Sequence, residues 1–141
     1  MIKIFLAADS EVLRPRLRML LGEIPDLQIV GDLSDERQLG RMIKLHDADV
    51  FIVFFPKLGH SARRLVSIAR GAHPRGIVIA LTTGFEDVDE DAWWNDGATY
   101  TFNLTTQLQQ FIDCLSTYAR TGLVQNRRVS GDELQNAQSQ P

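Results

Sequence analysis

Residues 50–55 read Val-Phe-Ile-Val-Phe-Phe, an unbroken apolar run that Pro56 closes. A strand with one wet face alternates apolar and polar side chains, because successive side chains point to opposite faces. A run with no polar position belongs to a strand covered on both sides, as in a parallel sheet between two helical layers. Such a strand cannot stand alone. The rest of the chain must supply further strands and the helices that cover them.

The remaining sequence alternates as this requires. Residues 2–7 form a short apolar run bounded by Asp9-Ser10 and read as a first buried strand. Val12, Leu13, Leu17, Leu20 and Leu21 recur at helical spacing, with Ser10 placed to cap the helix and Gly22-Glu23-Ile24-Pro25-Asp26 ending it. Pro15 is a misfit there, since a proline past the first turn removes a backbone bond. Residues 27–30 predict a second strand closed by Gly31-Asp32. Ser34-Asp35-Glu36-Arg37 then starts a helix with Leu39, Met42, Ile43 and His46 on one face. After the third strand, Pro56-Lys57-Leu58-Gly59 is a loop. Ala62, Leu65, Val66 and Ala69 form the next helical stripe, and Gly71, Pro74 and Gly76 break the chain. Residues 77–81 predict a fourth strand, and 87–95 a helix with acids in its first turn, where the macrodipole favours them. Residues 99–102 predict a fifth strand. Residues 104–118 predict a last helix that turns Leu108, Phe111, Ile112 and Leu115 inward.

Five alternations with right-handed crossovers predict an α/β fold, a doubly wound (βα)5 three-layer sandwich with parallel sheet order 2-1-3-4-5. Residues 1–120 make one domain, and 121–141, polar and rich in Gln and Asn, read as a disordered tail or linker.

The 141 residues carry a net charge of −3, which argues against a nucleic-acid partner for this domain. Arg63-Arg64 and Arg127-Arg128 are too few to change that. The single cysteine, Cys114, cannot close an internal disulfide, so a reducing, cytoplasmic setting is expected. The opening residues lack the form of a signal peptide. No run approaches the roughly 18 apolar residues of a membrane span, so no membrane insertion is expected. His46, His60 and His73 fall in three different connections, without zinc-ligand spacing. The acids Glu86, Asp87, Asp89, Glu90 and Asp91 lack the glycine and spacing of a calcium loop and read as a solvated helix start. No nucleophile, base and acid fall into a catalytic grouping. The expectation is a protein that is not an enzyme and that uses no cofactor and no metal.

Several segments taken in order resemble the receiver domain of bacterial response regulators, from about residue 1 to 120. Ile2-Lys3-Ile4-Phe5-Leu6-Ala7-Ala8-Asp9-Ser10 is similar to that family's opening strand and acidic turn. Leu17–Leu21 and Asp26–Gly31 continue the match. Ala48-Asp49-Val50 resembles the lead into the third strand, Val78–Thr82 the fourth strand with its hydroxyl, and Gly97-Ala98-Thr99-Tyr100 the turn before the fifth. The resemblance implies the flavodoxin-like, CheY-like fold. It is closest to receivers that often precede a helix-turn-helix module.

The resemblance also implies a chemistry. Two adjacent acids after the first strand and an aspartate on the third hold magnesium, and that aspartate accepts the phosphoryl group. A hydroxyl on the fourth strand and a lysine after the fifth contact the phosphate. Here the acidic pair is Ala8-Asp9, the acceptor place is Phe54, the hydroxyl is Thr82, and the lysine place falls at Leu104. A shift of one residue supplies no acid, because Val53, Phe55 and Pro56 are not acids either. Asp9 reads either as a remnant metal ligand or as a turn residue capping the first helix. Lys57 reads either as a partner for Asp9 or as a solvated surface lysine.

The resemblance therefore implies a degenerate pseudo-receiver, a phosphorylation-independent signalling module that acts through protein contact or dimerisation. Its surface would be the fourth helix, fifth strand and last helix, with Trp93, Trp94, Tyr100 and Thr101 as interface residues. Thr101 holds the place of the family's switch aromatic. Adjacent tryptophans cannot both face inward from a helix, so one is expected at the surface. Two settings remain open, the front of a transcription regulator and the pseudo-receiver of a pilus-assembly localisation ATPase. A conventional phosphoacceptor and a small-ligand sensor are the alternatives.

Overall fold

The computed structural model describes residues 1–9, 11–56, 62–83, 90–121 and 129–130. In chain order the elements are β1 (Ile2–Ala8), α1 (Leu13–Gly22), β2 (Leu27–Leu33), a 3-10 turn (Glu36–Gln38), α2 (Leu39–Leu45) and β3 (Val50–Phe54). There follow α3 (Arg63–Ala72), β4 (Ile77–Thr82), α4 (Glu90–Asn95), β5 (Tyr100–Asn103), α5 (Leu108–Thr121) and β6 (Val129–Ser130). The sheet is parallel, in the expected order β2-β1-β3-β4-β5, and β6 adds to the outer edge of β5.

The apolar run at β3 is buried at all five of its positions. Alternation divides it between two cores. Val50, Ile52 and Phe54 join Ile4, Leu6 and Ala8 under α1 and α5, which contribute Leu17, Leu21, Phe111 and Leu115. Phe51, Val53 and Phe55 join Phe5 and Ala7 under α2, α3 and α4, which contribute Leu39, Ile43, Leu65, Val66, Ala69 and Trp93.

Four differences from the sequence reading have local causes. Pro15 is no misfit, because α1 begins at Leu13 and places it in the first turn, where the missing N–H has no helical partner. Val12 is the N-cap and makes no side-chain cap bond, while the expected cap Ser10 lies outside the described residues. β2 continues through Gly31-Asp32 to Leu33. The register against β1 slips there, from Ile4 opposite Ile29 to Phe5 opposite Gly31, so Val30 is an extra residue. Gly31 is suited to the slip, since a Cβ would stand 3.0 Å from the Phe5 ring. α5 begins at Leu108 rather than at 104, and Leu108 is 38% exposed rather than turned inward.

The start expected for α4 at 87–89 lies outside the described residues. The stretch assigned to a tail contributes the last residue of α5 and the two residues of β6.

One arginine ties the end of α3 to the turn before β5. Arg70 donates from Nε to the Gly97 carbonyl at 2.9 Å and from Nη2 to Thr99 Oγ1 at 2.9 Å. Its Nη1 donates to the carbonyls of Pro74 at 3.0 Å and Gly76 at 2.6 Å. Gly97 has φ +116°, and a Cβ there would lie 2.6 Å from Arg70 Cβ and Cγ. Both its backbone and its neighbour therefore require glycine.

Candidate functional site

In doubly wound sheets, sites form outside the carboxyl ends of the strands. The five residues singled out from the sequence all come to that end. Ala8 pairs with Phe54 across β1 and β3, and the Asp9 N–H donates to the Phe54 carbonyl at 3.2 Å. Thr82 ends β4 opposite Asn103 of β5, and its carbonyl accepts from the Leu104 N–H at 2.8 Å. All five therefore lie at one end of the sheet, where the resemblance places its phosphate-binding groups.

Phe54 is 0% exposed and lies in the cluster beneath α1 and α5, against which Leu104 also packs. Ala8 is buried in the same cluster. Asp9 supplies the one carboxylate among the five positions. Magnesium takes near-octahedral oxygen ligands and is usually held by carboxylates together with phosphate oxygens. An alanine methyl, a phenyl ring and a leucine side chain offer none, so the residues present do not fit the ion. Among the described residues, no group of three or more His, Cys, Asp or Glu could hold a metal. Lys57 lies outside the described residues, as do His60, Glu86, Asp87 and Asp89.

The sequence reading missed what surrounds Leu104. Asn103 Oδ1 accepts from the Thr105 N–H at 2.8 Å, which is an Asx turn. The Asn103 N–H donates to Gln107 Oε1 at 2.9 Å, and the Asn103 carbonyl accepts from the Gln107 N–H at 2.6 Å. These bonds hold residues 104–106 as a turn and delay α5. An Asn followed four positions later by a Gln lacks the three-residue spacing of a capping box, so no helix-start pattern marks it in the sequence. Where the resemblance asks for a cation, the chain has a bonded turn with an apolar side chain.

The four residues named for an interface divide unevenly. Trp93 is 6% exposed and belongs to the core under α4, and Tyr100 and Thr101 are buried in β5. Trp94 is half-buried and packs against the same core as Trp93. Neither tryptophan is fully exposed, so of the four only Trp94 offers a surface. Trp94 Nε1 and Thr101 Oγ1 are both buried without a hydrogen-bond partner among the described residues.

No family model and no curated protein matches the chain. Solved structures do. A two-component response regulator of the LuxR family from Aurantimonas sp. SI85-9A1 superposes with a TM-score of 0.76 at 14% identity, over 96% of this chain and 94% of that one. The isolated REC domain of RcsB from Salmonella enterica serovar Typhimurium gives 0.71 at 15% identity, over 99% and 100%. A putative pilus assembly protein (cpaE) from Burkholderia thailandensis E264 gives 0.69 at 14% identity, over 86% and 100%. At these identities the likeness establishes the fold, which is that of the response-regulator receiver. No helix among the described residues is long and apolar enough to cross a membrane.

Proposed function

We propose that this chain is a receiver-fold signalling module that works through protein contact and takes up no phosphoryl group. The observation that carries this reading is Phe54, fully buried where an acceptor carboxylate would have to project. An acyl phosphate needs a carboxylate oxygen to attack phosphorus, and a phenyl ring has none. Ala8 in place of an acid and Leu104 in place of a lysine remove the ion and the cation that would steady the transferred group. Asp9 then serves as a turn residue whose N–H ties β1 to the end of β3.

Contact through α4, β5 and α5 fits this reading, with half-buried Trp94 on that face. The RcsB structures include dimers bound to two parallel DNAs, so a receiver of this fold occurs in a DNA-binding response regulator. A place at the front of a pilus-assembly localisation factor is the second reading. It is favoured by the match to the pilus assembly protein over 100% of that chain.

Acetyl phosphate or beryllofluoride with magnesium tests the proposal. Intact mass should show no phosphoryl addition, and tryptophan emission should not change. A stable adduct, in the wild type or in Asp9→Asn, would overturn it.

A further inference from the structure

The charge of the chain is unevenly spread. Residues 37–75 hold eight Lys or Arg against two Asp, a surplus of six, although the whole chain is −3. The fold brings most of this surplus to α2, α3 and the turn after α3, which cover the same face of the sheet. Both helices connect parallel strands, so they lie side by side and run in the same direction. They approach closely, since a Cβ on Gly40 would stand 3.2 Å from Ile68 Cγ2.

The cations there fall into two sets. Arg37 is paired with Asp35 and Arg63 with Asp96, and Arg70 is bonded to the carbonyls at the junction of α3, β4 and β5. Arg41, Lys44, Arg64 and Arg75 are exposed, and none has an ion pair among the described residues. The two acids of the segment are Asp47, exposed in the turn after α2, and Asp49, whose Oδ2 accepts from the main-chain N–H of Lys3 at 2.8 Å. Arg41 and Lys44 stand one turn apart on α2, where like charges repel. An opposing row of carboxylates would relieve that repulsion. Leu45 beside them is 66% exposed and Ile68 is half-buried, so the face also offers apolar contact.

The net charge narrows the partner. A nucleic acid or an anionic lipid surface extends past the patch and meets the acidic remainder of the chain, which repels it. A short acidic segment touches the patch alone. Cations one turn apart match carboxylates at i and i+4 on a helix, and an apolar residue between those carboxylates would cover Leu45.

We propose that the α2–α3 face binds an acidic amphipathic helix of a protein partner, with Arg41, Lys44 and Arg64 opposing its carboxylates. The inference rests on the contact-module reading, and it gives that module a second surface apart from α4, β5 and α5.

A fluorescein-labelled helical peptide with Glu at successive i, i+4 positions and Leu between them tests it, by anisotropy against the full chain at low ionic strength. The triple variant Arg41→Gln, Lys44→Gln and Arg64→Gln should bind about tenfold more weakly, since an exposed ion pair contributes a factor of about two. Arg16→Gln with Arg120→Gln removes two exposed cations from the opposite layer, and should change binding by less than about twofold. Amide shifts on adding the peptide should concentrate in residues 37–47 and 63–75. Should the triple variant lose its far-UV circular dichroism, Arg64→Gln alone carries the comparison, with a loss of about twofold. Absence of binding, an equal loss in the opposite-layer variant, or equal binding of the peptide with Gln in place of Glu overturns the proposal. Tighter binding of a single-stranded oligonucleotide or of phosphatidylserine vesicles, lost with the same three cations, overturns the acidic helix as the occupant. The acetyl phosphate measurement reads the contact-module premise separately, so the two failures are distinguishable.

Discussion

Phe54 places its ring in a core from which water is excluded, among Ala8, Ile52 and the inward residues of α1 and α5. Truncation to alanine removes the transfer energy of the ring and leaves a cavity in the middle of the sheet. The expected loss is about 3–5 kcal/mol, read as a lowered midpoint in urea denaturation. Phe54→Asp should lose more, because a buried carboxylate gains neither a metal nor a cation there. It should also remain unlabelled by acetyl phosphate, since Ala8 and Leu104 still lack the groups the reaction needs. A Phe54→Ala variant as stable as wild type would show that the ring is dispensable to the core. That position 54 offers no carboxylate was legible in the sequence, because the residue there is a phenylalanine. The partners of Asn103 were not, because they depend on a turn whose geometry only the folded chain defines.

Element existence followed from hydrophobic period, and element ends did not. The five expected strands occur where apolar residues run together, and the helices α1, α2, α3 and α5 where they recur at helical spacing. The ends were settled by particular contacts. Gly31 and Asp32 disfavour a strand by propensity, yet β2 runs through them because the register slip brings Gly31 against the Phe5 ring. α5 starts late because Asn103 and Gln107 bond each other first. Arg70 is invisible to periodicity for the same reason, since its role is to satisfy carbonyls at the junction of α3, β4 and β5. Arg70→Ala should leave those carbonyls without their donor and cost about 1–3 kcal/mol, measured as a lower melting temperature. Arg70→Lys should recover only part of the loss, because an ammonium lacks the planar fork that reaches Gly97, Gly76 and Thr99 together. Full rescue by lysine would reduce the clamp to a simple charge.

At the scale of the molecule, the sheet is one wall shared by two cores. β1 gives Ile4, Leu6 and Ala8 to one and Phe5 and Ala7 to the other, and β3 divides in the same way. Neither helical layer can leave without exposing the apolar face of strands that the opposite layer still holds. Small domains with such shared elements unfold in one cooperative step. The chain carries a reporter in each layer. Trp93 and Trp94 lie with α4 on one side, and Cys114 lies in α5 on the other. Burial pushes the Cys114 thiol up to about 12, so in the folded protein it should be nearly inert to a disulfide reagent at mildly alkaline pH. Unfolding returns it toward an ordinary thiol, which reacts readily under the same conditions. Urea titrations followed by tryptophan emission and by Cys114 reactivity should superimpose, with one midpoint and one slope. Thiol exposure at lower urea than the emission change would mean that the α1–α5 layer separates first, and that the shared strands β1 and β3 do not bind the two cores into one unit.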